Sequence, residues 1–203
     1  MNNLTVNLFK FQGSPVTLNL LFLLLFAIMP ISYAISVFIA VLIHEMAHAF
    51  VANKKGYHVY GIEVGLFSGS ASIDSNMHQS DSIPIVAAGP ISNLILYILS
   101  LTVGIWVDHQ YLDHFAYVNL FLFIFNILPI YPMDGGQIMR DLLMTKGKKI
   151  GIDRRTGFDI SAYISLIMSI LLLVFSISQG QIFIAIFGGY FAYLALKDLN
   201  YIK

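Results

Sequence analysis

Several apolar stretches of this 203-residue chain approach or exceed the roughly 18 to 20 residues that a helix needs to cross a bilayer, and this limits what the chain can fold into. Composition agrees, with 58% of residues hydrophobic and only 11% charged, against about a quarter charged in an average soluble domain. Six spans are expected, at about 15–29, 32–53, 82–107, 112–129 continuing past a break to about 145, 159–178 and 181–198. The run from Val16 to Met29, followed by Ser32-Tyr33-Ala34, also has the outline of a signal peptide. Its basic region is Lys10 alone and a second apolar run follows almost at once, so a first span is the expectation. Residues 56–74 are rich in glycine and partly alternating, which reads as short strands, and residues 75–82 read as a polar loop. The expected fold class is therefore an all-α polytopic membrane protein with a small membrane-associated β-strand region after the second helix. The whole of 1–203 is expected to be a single integral-membrane domain.

The charges are sorted by position. Lys10, Lys54, Lys55, Arg140, Lys146, Lys148, Lys149, Arg154, Arg155, Lys197 and Lys203 all fall on one side of the expected spans. The opposite loops, near Pro30, Asp108 to Asp113 and Gln179-Gly180, hold no Lys or Arg, so the positive-inside rule places both termini in the cytoplasm. Formal net charge is zero, which argues against nucleic acid as a partner. With no cysteine, any metal must be held by histidine and carboxylate.

His44-Glu45-Met46-Ala47-His48 lies inside an apolar helical stretch. Histidines four apart project from one helix face, where both reach a single metal ion, and the adjacent Glu45 stands where it can activate a water. Two satisfied helix histidines would be ordinary in a soluble core. In lipid they are costly, because an ionisable side chain at mid-span costs about 2.5 kcal/mol or more. Of the chain's two glutamates, one falls in this motif.

Two histidines leave a catalytic zinc short, since such sites usually present three protein ligands and an open position. In Phe125-Asn126-Ile127-Leu128-Pro129-Ile130-Tyr131-Pro132-Met133-Asp134-Gly135-Gly136, two prolines and two glycines interrupt an apolar span, and the freed backbone groups must line a cavity or be buried in protein. Asp134 there is either a turn residue before glycine or the missing ligand. Depth favours the ligand, because His44, His48 and Asp134 all lie about 6 to 10 residues, or roughly 9 to 15 Å, inward from the cytoplasmic positive clusters.

The pairing of His-Glu-x-x-His on one span with Asn-x-x-Pro-x-x-Pro-x-Asp-Gly-Gly on a later one resembles the site-2 protease family of intramembrane metalloproteases. The resemblance covers nearly the whole chain, and includes Ala88-Gly89-Pro90-Ile91-Ser92-Asn93 at the start of the third span and the strand region after the second. The compact plan without an inserted PDZ-like domain is similar to the branch containing the sporulation-factor processing proteases. Met133 stands where leucine is commoner, a volume-conserving change. Many members of that branch also carry a C-terminal nucleotide-sensing CBS domain, which these 203 residues do not include.

The resemblance implies one zinc ion per chain, bound by His44, His48 and Asp134, with Glu45 as general base. For Asn126 two readings stand side by side: positioning substrate or the developing oxyanion, or satisfying the carbonyls freed by Pro129 and Pro132. Substrate contacts are expected at Gly65 and Gly69, where an extended peptide can add a strand, and at Pro129 and Pro132. The implied substrate is a transmembrane or membrane-tethered protein, unwound before cleavage and released toward the cytoplasm. The expected setting is the cell membrane of a prokaryote, with the lipid bilayer as a partner and a regulatory membrane partner left open. A metal transporter and a silent helix-binding relative are the alternatives; a transporter needs several sites along a route, and retention of Glu45 weighs against silence. His58, His78, His109 and His114 read as surface or loop residues. Gly188-Gly189 reads as a contact between helices.

Overall fold

The computed structural model describes residues 4–65, 70–74, 76–107, 109–147 and 151–202, and the chain falls into two compact units, Met1–Ile124 and Phe125–Lys203.

In the first unit, β1 (Thr5–Phe11) and β2 (Ser14–Asn19) form an antiparallel hairpin. Its turn residues Gln12 and Gly13 both take positive φ, 49° and 90°, which matches the twist of the flanking strands. A 3-10 turn over Leu20–Leu24, capped by the Asn19 side chain, and one helical turn, α1 (Leu25–Ile28), lead to α2 (Ile31–Lys54). Pro30 starts α2 and Gly56, at φ 85°, follows its end. Then come β3 (Val59–Val64), β4 (Ser70–Ile73), α3 (Gln79–Gly104) and α4 (Gln110–Ile127), whose last turn passes into the second unit. The strands make one sheet in the order β1-β2-β3-β4, antiparallel except for the parallel pair β2-β3, where Val16, Thr17 and Leu18 stand opposite Ile62, Glu63 and Val64.

Two expectations need correction. Half of the sheet precedes the second span rather than following it, and no continuous helix covers 15–29. Pro15 followed by β-branched Val16 and Thr17 suits a strand, and β2 finds partners on both edges, so its peptide groups are satisfied without a helix. The segment nevertheless traverses the depth of α2. Val16 packs in a cluster with Ala49 and Ala52, near the C-terminal end of α2, while Phe22 and Leu25 pack with Ala34 near its start. Six strand residues, five of 3-10 and four of α-helix reach roughly 36 Å, about the length of the 24 residues of α2.

Small residues let α2 sit close to its neighbours: Ala34, Ala40, Ala49 and Ala52 are fully buried against the sheet and α3. Lys55 and the Tyr57 hydroxyl both bond Asp81, at 2.7 and 2.8 Å, and tie the end of α2 to the first turn of α3. Large apolar side chains such as Ile91, Ile95, Ile98 and Leu99 point outward from α3, the arrangement of a helix whose surroundings are lipid.

In the second unit, a break over residues 128–133 separates the last turn of α4 from α5 (Asp134–Lys146), and α6 (Arg154–Ser178) and α7 (Ile182–Asp198) form an antiparallel pair joined through Gln179 and Gly180. Buried Ser161, Ser165 and Ser169 give α6 a narrow face. A Cβ on Gly188 would come within 2.9 Å of Leu173 Cα, so this glycine is the close contact expected between helices, whereas a Cβ on Gly189 would meet nothing within 4 Å. Ile130, Met133 and Phe191 form the core of this unit. Arg140 stacks on the rings of Tyr131 and Phe158 and pairs with Asp198 at 2.5 Å, linking the break to all three helices.

Among the described residues, Ile31–Lys54, Ser80–Gly104 and Arg154–Ser178 are helices long and apolar enough to cross a membrane. With α7 shorter, α4 interrupted by polar side chains and 15–29 not a helix, length and composition do not reach the expected six.

Candidate metal centre

One turn of α2 separates His44 from His48, and their rings stand edge to face with centroids 4.7 Å apart. His44, Glu45 and His48 are all buried, and each offers a ligand atom within 4.8 Å of the others. Among the described residues this is the one group of three or more metal-binding side chains so placed.

The face of α3 opposite carries Ile85, Gly89 and Asn93, spaced i, i+4, i+8 and so stacked on one side of the helix. His48 Nδ1 donates to the Ile85 carbonyl at 2.8 Å. His44 Nδ1 meets Asn93 Oδ1 at 2.5 Å. Behind it Asn93 Nδ2 donates to Asn119 Oδ1 at 2.9 Å, and Asn119 Nδ2 donates to the Phe115 carbonyl at 2.8 Å. With both Nδ1 atoms engaged, the metal-facing atom of each ring is Nε2, and a Cβ built on Gly89 would overlap the Nε2 atoms of both. Between two imidazoles and a carboxylate, glycine therefore keeps a space that any side chain would fill. Pro90 follows, and its missing N–H loosens this turn of α3.

The other expected site residues lie as follows. Asp134 is buried as the first residue of α5, in the second unit. Gly135 and Gly136 hold it at the end of the break, since a Cβ on either would strike backbone atoms of Ile127 or Ile130. Asn126 is half-buried on the last turn of α4, Pro129 is half-buried and Pro132 exposed. Gly65 is half-buried just beyond β3, and Gly69 lies outside the described residues. His58, His78 and His109 are exposed; His114 is half-buried, stacked on Tyr33 and bonded to Ser32. Gly89, Asn93, Asn119 and the Ile85 carbonyl were given no role at the metal by sequence reasoning. The signal that could have found the two asparagines is a polar residue in mid-span, which lipid tolerates only when it is partnered.

A buried histidine pair and carboxylate on a helix long and apolar enough to cross a membrane define the class as a candidate metal-binding membrane protein. Residues 109–173 match the family model described as peptidase family M50. Over 97% of its length the chain is 30% identical to a zinc metalloprotease of Methanocaldococcus jannaschii, and it spans 60% of that protein's length. It is 28% identical to stage IV sporulation protein FB of Bacillus subtilis over 49% of this chain and 36% of that one. Among solved structures it is similar to a site-2 protease from Methanocaldococcus jannaschii, with a TM-score of 0.70, 26% identity, and coverage of 96% of this chain and 94% of the other. The chain is thus similar to site-2 proteases over nearly its whole length, and to peptidase family M50 over residues 109–173.

Proposed function

We propose that this chain is an intramembrane zinc endopeptidase that cuts a transmembrane or membrane-tethered protein near the cytoplasmic side of the bilayer. The observation that carries the reading is the buried His44, Glu45 and His48 group with both Nε2 atoms turned to the space above Gly89. Nitrogen and carboxylate donors without thiolate suit zinc in a catalytic setting. His44, His48 and Asp134 would hold one ion per chain. When bound, zinc lowers the pKa of its water and polarises a peptide carbonyl.

Glu45 takes the proton of the attacking water and passes it to the leaving amine. Burial of Glu45 shields that transfer from bulk solvent. Asn126, on the turn before the break, orients the scissile carbonyl or satisfies the chain around Pro129 and Pro132. The edge strand β4, beyond β3 and Gly65, is where an unwound substrate adds a strand, with Gly69 and the two prolines as further contacts. Both termini face the cytoplasm of a prokaryotic cell, the whole chain acts as one membrane domain of six traverses, and products leave on the cytoplasmic side, where the Lys and Arg residues cluster.

The test is purification in detergent, with metal content and cleavage of a panel of single-span proteins measured for wild type and Glu45→Gln. Wild type is expected to hold about one zinc and cut, and Glu45→Gln to keep the metal and slow by at least about 100-fold. Absence of zinc from the wild type overturns the reading.

A further inference from the structure

We infer that Asn93 and Asn119 are positioning residues that fix the tautomer of His44, and through it the approach of Nε2 to the metal; this rests on the protease reading only in taking zinc as the ion. The polarity of the relay starts at a backbone carbonyl. Phe115 O can only accept, so Asn119 must turn its amide nitrogen toward it, at 2.8 Å. That leaves Asn119 Oδ1 facing Asn93 at 2.9 Å, and only an N–H can answer an oxygen. Asn93 therefore gives its Nδ2 to Asn119, with a longer bond to the Ala40 carbonyl, and turns its Oδ1 to His44. The His44 Nδ1 must then carry the proton, and the lone pair sits on Nε2. One carbonyl of α4 sets, through amides on α4 and α3, which nitrogen of an imidazole on α2 is the ligand.

Both amides are 0% exposed, deep in apolar helices, where an unsatisfied polar group is costly. Leucine has nearly the shape of asparagine and suits such helices better, so space-filling alone does not call for an amide at either position. His48 is oriented directly by the Ile85 carbonyl. His44 takes its orientation from a side chain, and that side chain depends on another.

The test is zinc affinity by chelator competition on the purified full chain, with the visible spectrum of the cobalt-substituted protein as a second readout of ligand geometry. Asn93→Leu is expected to lose roughly 10- to 100-fold in zinc affinity and to alter the cobalt spectrum. Asn119→Leu, which frees the Asn93 amide to turn over, is expected to lose less. Asn93→Asp made together with Asn119→Leu keeps an oxygen opposite Nδ1 without setting a carboxylate oxygen against Asn119 Oδ1, and is expected to bind zinc more tightly than Asn93→Leu. Wild-type affinity in either single leucine variant overturns the relay, and so does a loss in the double variant as deep as in Asn93→Leu. A wild type that holds no zinc overturns the inference together with the protease reading.

Discussion

Gly89 carries a prediction that helix propensity would get backwards. Alanine is favoured over glycine inside a helix by about 1 kcal/mol, so Gly89→Ala should, by propensity alone, improve α3. The added methyl instead occupies the space that both Nε2 atoms face. Gly89→Ala is expected to yield folded protein by thermal unfolding in detergent while retaining much less than one zinc per chain by metal analysis; full metal content would remove the glycine from the site. His44, Glu45 and His48 were legible in the sequence because a four-residue spacing on an apolar helix is a pattern within one element. Gly89, Asn93 and Asn119 face them from other elements, and no spacing along the chain encodes which residues of α3 and α4 meet α2. The Ile85 contribution is invisible in principle, since any residue there supplies the same carbonyl.

Among the elements, the α6–α7 pair gives a paired comparison between adjacent residues. Gly188 lies against the backbone of Leu173, and Gly189 points to open space. Gly188→Val is expected to cost about 1–3 kcal/mol by overpacking and to lower the unfolding temperature, while Gly189→Val leaves it nearly unchanged. Equal effects would place the close contact elsewhere. The helix pair, α2 and α3 were all readable from length and hydropathy. The segment from Ser14 to Ile28 was not, because a continuous apolar run has the same composition as strand or as helix, and what decides between them is the presence of partner strands. For β2 those partners are β1 on one edge and β3, beyond α2, on the other. The second lies too far along the chain for a local window to include.

For the molecule as a whole, the absence of cysteine makes orientation directly measurable. Single cysteines at Lys54 or Arg155 are expected to react with a membrane-impermeant maleimide only from the cytoplasmic face, and one at Asp113 only from the opposite face. The reverse pattern would invert the topology and move product release to the other side. The expected sidedness rests on lysine and arginine in the loops, whatever the secondary structure of the segments between them. The same indifference hid the strand in the first expected span.

The parallel pairing of β2 with β3 also bears on how the protein is made. Ser14 donates its hydroxyl to the carbonyl of Val59, and 45 residues separate the two, among them all of α2. As the nascent chain emerges, β2 is made well before the strand that completes it, and its pairing with β3 can form only after the whole helix bearing His44 and His48 has been synthesised. A chain interrupted before Val59 would carry the histidine pair beside a strand that still lacks its neighbour.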